Sequence, residues 1–197
     1  MSTGRSSGSG RRKVTGASLI LVRHGRPAID PDTPPTTWPL CPEGRAAVEA
    51  LAGKIAGYRP VAVATSPEPK ARETAEIIAG RLGLTIDIDP GLHEHKRQHL
   101  SFGTEAAFRE RIASIFASPG EAVGGIETAD EAGERLARAL AQHKGRPLVA
   151  VTHGTVMSLY VAKLLGLDAH DLWRNLHTPD AFVLDAQGGL VERISLP

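Results

Sequence analysis

Leu19-Ile20-Leu21-Val22-Arg23-His24-Gly25 is a short apolar run that stops at an arginine, a histidine and a glycine. Leu148-Val149-Ala150-Val151-Thr152-His153-Gly154 repeats the design near the other end of the chain. Both runs are short, rich in branched aliphatic residues and bounded by polar ones, so each predicts a buried strand. In an open α/β sheet the carboxyl end of such a strand opens on a crevice where ligands bind. Two histidines at two such ends form a candidate catalytic pair.

The segments between and around these strands alternate in type. Residues 26–40 hold five prolines, which stiffen a loop and exclude regular structure. A long loop after a catalytic-looking strand end is either part of a substrate pocket or a plain surface connection. Pro42 opens a helical pattern with Ala46, Val48, Leu51 and Ile55 on its apolar side, and residues 61–64 form a second strand. Ser66-Pro67-Glu68-Pro69 predicts a helix start, with Ser66 as cap and Pro67 at the first helical position. Ala71, Ala75, Ile78 and Leu82 give that helix its core face, and Gly83 ends it.

Residues 85–88 alternate as a strand. Phe108, Ile112, Ile115 and Phe116 mark a helix from about Thr104, and Thr128 with Glu131 makes a capping box for another through Leu136 and Leu140. After His153 a helix carries Val156, Leu159, Tyr160 and Leu164 and stops at Gly166. Residues 181–184 and 190–194 are closing strands joined at Gly188-Gly189. Alternating strands and helices predict the α/β class, as a three-layer α/β/α sandwich with a mostly parallel central sheet. Residues 18–197 read as a single domain, preceded by a flexible basic tail over 1–17.

Composition narrows the function. The 197 residues suffice for one α/β domain with its own core, and 41% hydrophobic with 23% charged residues is ordinary for a globular protein. A net charge of +1 gives no reason to expect nucleic acid or a membrane surface as partner. Aromatic residues at 4% argue against stacking platforms for single-stranded nucleic acid. No apolar segment is long enough to span a membrane. Arg11-Arg12 invites an export reading, but the apolar run that follows is too short for a signal, so a cytoplasmic location is expected. The single Cys41 fits a reducing compartment. The oligomeric state is left open.

Arg23-His24-Gly25, with Ser66-Pro67-Glu68-Pro69-Lys70-Ala71-Arg72-Glu73-Thr74-Ala75, Leu92-His93-Glu94 and Thr152-His153-Gly154 in register, resembles the histidine phosphatase superfamily, which includes cofactor-dependent phosphoglycerate mutases and small phosphatases. The resemblance runs from about Leu19 to Leu184 and implies a phosphoglycerate mutase-like fold. It implies that His24 is the nucleophile, attacking phosphorus to form a phosphohistidine that water hydrolyses. It makes Arg23, Lys70, His153 and Gly154 the phosphate-binding set, with His153 also catalytic. It makes Glu94 the general acid, a role that needs a raised pKa near neutral pH.

The family's second arginine falls on Lys70 in this register. Arg72, two helical positions away, points roughly 200° round the helix axis and is read as solvent-facing. Lysine keeps the charge and loses the bidentate fork. The helix N-terminus near Lys70 is expected to add partial positive charge. Some family members carry a phosphate-binding asparagine where this chain has Asp30, which can only accept hydrogen bonds when ionised and is expected to point away. Arg26 is a candidate pocket residue in its place.

His93, His95 and His99 surround Glu94, and alternating histidines could bind a metal. Lys96 and Arg97 oppose a cation there, so a basic rim for a phosphorylated substrate is the favoured reading, with neither metal nor cofactor expected. Cys41-Pro42-Glu43-Gly44-Arg45 has three residues between Cys and Arg where a cysteine phosphatase needs five. No glycine-rich nucleotide loop follows a strand. The expectation is metal-independent hydrolysis of a phosphomonoester, a small molecule or a phosphoprotein. The alternatives are a phosphoglycerate mutase-type phosphotransferase and a catalytically weak phosphate-binding or scaffold protein.

Overall fold

The computed structural model describes residues 17–97 and 104–196. Its centre is a six-stranded sheet in the order β3-β2-β4-β1-β5-β6. Strands β1 (Ala17–Arg23), β2 (Ala62–Thr65), β3 (Ile86–Ile88) and β4 (Leu148–Thr152) run parallel, while β5 (Asp180–Asp185) runs antiparallel to β1 and β6 (Leu190–Ser195) antiparallel to β5. Among the described residues six α-helices accompany them: α1 (Pro42–Ile55), α2 (Pro69–Leu82), α3 (Glu105–Ala117), α4 (Ala129–Gln142), α5 (Gly154–Leu165) and α6 (Ala169–Arg174).

Strand alternation sorts the side chains into two cores. Ile20, Val22, Val63, Val149 and Val151 pack on one face with Val48, Leu51 and Ile55 of α1 and Ala71, Ala75 and Ile78 of α2. Leu21, Ala64, Ala150 and Phe182 pack on the other with Leu136 and Leu140 of α4 and Met157 and Val161 of α5. Helices thus cover both faces, and the three-layer α/β/α architecture expected from the sequence is present. A smaller cluster of Ile112, Ile115 and Ala129 seats α3 against Phe108, Phe116 and Trp173. Among the described residues no helix is long and apolar enough to cross a membrane.

Several boundaries differ from the sequence reading. Helix α2 begins at Pro69 with Glu68 as its cap residue, not at Pro67 with Ser66 as cap. A proline disfavours the helical region for the residue before it, so Pro69 holds Glu68 extended, at φ −67° and ψ 138°. The second of the two prolines therefore sets the start. The loop 26–40 is not wholly irregular: Pro35–Thr37 form a 3₁₀ turn with proline at its first position, and Pro27 bridges Leu40 to close the loop. Ala46 is exposed, so it is not on the apolar side of α1. Helix α6 has only six residues and went unread in the sequence. Residues 1–16 of the expected tail lie outside the described residues, and Ala17 already belongs to β1.

Candidate active site

Strands β1 and β4 are neighbours in the sheet, with Arg23 paired to Thr152, so His24 and His153 leave it side by side. His24 N donates to Thr152 O at 3.1 Å, extending the ladder by one residue. The two imidazole centroids are 5.1 Å apart at an interplanar angle of 62°. His24 is 7% exposed and His153 fully buried. The repeated strand-His-Gly pattern is thus one site, built from both ends of the chain.

His24 Nδ1 lies 2.7 Å from Gly25 O. A carbonyl oxygen only accepts, so Nδ1 carries the proton and the Nε2 lone pair is left for attack. Burial pushes the His24 pKa well below the usual histidine range, and His153, Lys70 and Arg23 push it further. Gly25 N donates to Thr74 Oγ1 at 3.0 Å, and Thr74 Oγ1 donates to Lys70 O at 2.7 Å. Helix α2 therefore fixes the turn that carries His24.

His153 is also held neutral, by burial first and by Lys70, His93 and Arg97, against the opposing charge of Glu94. Its Nε2 is 2.8 Å from Ser66 Oγ and 3.4 Å from Glu68 Oε1. It occupies the cap position of α5, yet its side chain does not cap that helix.

Arg23 Nη1 donates to Leu176 O at 3.0 Å, which ties the guanidinium to the segment before β5. Gly154 lies flat against Arg23: a Cβ there would sit 3.1 Å from Nε. Arg23 Nε and His153 Nδ1 are buried without a hydrogen-bond partner among the described residues. Buried polar atoms left this way are what a bound ligand or water would satisfy.

Lys70 is 7% exposed, and its Nζ donates to Glu68 Oε2 at 2.5 Å and to Pro35 O at 2.7 Å. Arg72 is exposed and faces Glu76 at 3.6 Å. The register that places Lys70 inside and Arg72 outside is the one the fold adopts. The α2 N-terminus, however, has no amide to spare. Pro67 and Pro69 lack one, Glu68 N donates to Ser66 Oγ, Lys70 N to Trp38 O, and Ala71 N and Arg72 N to Glu68 O. The expected contribution of that helix end to anion binding is replaced by the Lys70 side chain.

Glu94 lies in the segment after β3, and three contacts hold that segment. Thr152 Oγ1 donates to Leu92 O at 2.7 Å, Arg135 Nη1 to Gly91 O at 2.7 Å, and Lys96 N to Glu127 Oε2 at 3.0 Å. Arg135 is itself locked to Glu127 through two contacts of 2.7 and 2.9 Å. The electrostatic expectation for Glu94 is overturned. Burial alone would raise its pKa, but Arg97 at 3.3 Å, His153 and the amides of His95 and Thr155 together hold it well below the usual carboxylate range. Its oxygens accept from His95 N (2.9 Å), Thr155 N (3.2 Å) and Val156 N (3.3 Å), so Glu94 caps α5 as a fixed anion.

The remaining candidates lie outside this cluster. Asp30 is exposed, as expected, and accepts from Asp32 N at 3.0 Å. Arg26 is exposed and supports the site through its backbone, its carbonyl accepting from Cys41 N at 3.0 Å. His93 Nδ1 sits against Glu94 O at 2.5 Å, and His99 lies outside the described residues. Among the described residues no three His, Cys, Asp or Glu side chains are grouped to hold a metal.

Sequence reasoning missed Glu68, whose carboxylate touches Lys70, His153 and the backbone of Glu94. Its signal was a lone acid between two prolines, two positions before the predicted phosphate-binding lysine. Arg97 was read as rim charge, although its Nη2 also donates to Thr155 Oγ1 at 2.9 Å.

A family model described as histidine phosphatase superfamily (branch 1) matches residues 19–188. A probable phosphoglycerate mutase (GpmB) of Photorhabdus laumondii is 28% identical over 164 residues, 77% of this chain and 76% of that protein. Among solved structures, a mycobacterial glucosyl-3-phosphoglycerate phosphatase superposes with a TM-score of 0.65 at 21% identity, covering 86% of this chain and 92% of that one. A phosphoserine phosphatase of Entamoeba histolytica, in complex with 3-phosphoglyceric acid, gives 0.65 at 20% identity, covering 91% and 97%. At these identities the structural matches speak to the fold.

Proposed function

The chain belongs to the histidine phosphatase superfamily, and from that membership we propose that it is a metal-independent phosphomonoesterase working through a phosphohistidine on His24. The observation that carries this reading is the pair of neutral, buried imidazoles 5.1 Å apart with Arg23 and Lys70 beside them. Phosphoryl transfer needs little covalent chemistry from the protein beyond a placed nucleophile and neutralised equatorial oxygens. Lys70, Arg23 and His153 supply the positive and donor groups, and Gly154 supplies the space for Arg23. The orphaned Arg23 Nε and His153 Nδ1 are two polar atoms that a phosphoryl group would satisfy.

The reaction runs in two steps. His24 Nε2 forms a bond to phosphorus as the bond to the ester oxygen breaks, and that oxygen takes a proton from a carboxylic acid in the crevice. Water then attacks phosphorus, the N–P bond breaks, and the water proton goes to the same carboxylate. The substrate is a small phosphomonoester or a phosphoprotein, and the site serves it in the cytoplasm.

Brief exposure to a ³²P-labelled phosphomonoester with EDTA present should leave acid-labile, base-stable label on His24. Full turnover by His24→Ala would overturn the assignment. The GpmB-like relative supports a second reading, transfer of the phosphoryl group to an acceptor. Label recovered in an added acceptor hydroxyl instead of inorganic phosphate would favour it.

A further inference from the structure

We propose that Arg193 is a positioning residue for the phosphate site: by occupying Asp180 it keeps that buried carboxylate from drawing Arg23 away from the substrate. This rests on the phosphohistidine reading above, with Arg23 on the transferred phosphoryl group.

A carboxylate and two arginines meet across three strands. Asp180 is fully buried at the start of β5. In the sheet register Arg23 of β1 stands opposite it on one side and Ser195 of β6 on the other. Directly opposed residues share a face of the sheet, with Cβ atoms about 5 Å apart, and Arg193, two residues before Ser195, belongs to that same face. Asp180 therefore lies between Arg23 and Arg193. Its oxygens are given to the outer one. Arg193 Nε donates to Oδ1 at 3.3 Å and Nη2 to Oδ2 at 2.6 Å, the forked geometry of a strong arginine–carboxylate pair. Ser195 Oγ donates to Oδ1 at 2.9 Å and His177 N to Oδ2 at 3.1 Å. The Arg193 guanidinium carbon lies 5.3 Å from the centre of the Phe182 ring, and Nη2 also donates to Asn175 O.

Arg23 is thereby left with neutral partners. Its Nη1 donates to Leu176 O at 3.0 Å and His177 O at 3.3 Å, and among the described residues it makes no ion pair. Its Nε is the orphaned atom at the site. Burial pushes the Arg23 pKa down, and the charges of Glu94 and Asp180 oppose that, so the field of Asp180 reaches it. A buried carboxylate stripped of its cation is strongly unfavourable and takes a cation within reach. Without Arg193 that cation is Arg23, one strand away. Its guanidinium would turn to Asp180, leave the two carbonyls and give up the phosphoryl group.

The test reads the affinity for inorganic phosphate by calorimetry and kcat/KM on p-nitrophenyl phosphate. Arg193→Met should weaken phosphate binding and lower kcat/KM by about 30-fold, close to the loss in Arg23→Met. Adding Asp180→Asn to Arg193→Met removes the competing charge, and both values should return to within about threefold of wild type. Arg193→Lys keeps a cation on Asp180 and should stay within about threefold as well. A double variant as impaired as Arg193→Met would place the effect in the lost bond to Asn175 O and overturn the proposal. So would Arg193→Met that binds phosphate as wild type does. If Arg193→Met does not fold, Asp180→Asn with Arg193 intact decides: retained affinity supports the proposal, and a loss of about tenfold or more overturns it, since the carboxylate would then serve the site itself. A wild type that never labels His24, or an Arg23→Met that binds phosphate undiminished, would remove the reading beneath. A labelled His24 with a loss at Arg23→Met and none at Arg193→Met sinks this inference alone.

Discussion

The turns that follow β4 and β2 point into the same crevice and treat negative charge in opposite ways. After β4 the chain enters α5 at once, and the amides of Thr155 and Val156 are given to Glu94, an anion from another loop. After β2 the helix is delayed to Pro69, two prolines remove amides, and Glu68 and Lys70 face the crevice as side chains. The first turn spends its helix end on a fixed structural anion. The second leaves ionic groups that substrate can rearrange. Backbone dipoles cannot be turned off, whereas a lysine–glutamate pair can exchange partners, so the two turns divide permanent and transient charge between them.

The largest expected effect tests the fixed anion. Glu94→Ala leaves two amides of α5 uncapped and Arg97 without its carboxylate, and urea unfolding should show a loss of about 3 kcal/mol. Glu68→Ala should lose about 1 kcal/mol, because Lys70 keeps its bond to Pro35 O. Equal losses would erase the contrast between the turns.

Next comes the exchangeable cation. Lys70→Ala should lower kcat/KM by about 30- to 100-fold, while Arg72→Ala stays within about twofold of wild type. The opposite ranking in steady-state assays would place the working charge on the outer face of α2.

The third prediction concerns the histidines held neutral beside these charges. With the pKa values of His24 and His153 depressed in the fold, the unfolded chain binds more protons below about pH 6.5. Their contribution is fully present above that value, and stability falls as pH drops below it, by up to about 1.4 kcal/mol per pH unit for each histidine. Denaturant titrations at pH 7.5 and 5.5 should show the decline, and His24→Asn should remove one share of it. A pH-independent midpoint would mean that the imidazoles take up protons in the fold as they do in the unfolded chain.

The smallest effect sharpens the second turn. Thr74→Val removes the acceptor for Gly25 N and should reduce stability by about 1 kcal/mol. Because it loosens the His24 turn, the rate of His24 labelling should fall more than substrate affinity, a split that KM and kcat would report.

The strands around His24 and His153 were legible because their signal is local: an apolar run, a polar stop and a glycine. The inward position of Lys70 was legible for the same reason, since helical period alone separates it from Arg72. Charge balance was not. Whether Glu94 is an acid or an anion depends on Arg97, His153 and the start of α5, three partners brought to it by the fold. The Arg135–Glu127 lock that fixes its loop joins α4 to the residue just before that helix's cap, and its hold on Gly91 and His93 is long-range. Ser66 was misread because Pro67 and Pro69 both satisfy the same local rule for a helix start.

Strands β1 and β4 lie side by side inside the sheet, each bonded to a neighbour on both edges. No fraying edge can release either one, so their amides should exchange with deuterium only when the whole domain opens. The distance between the two histidines therefore persists for the lifetime of the native state.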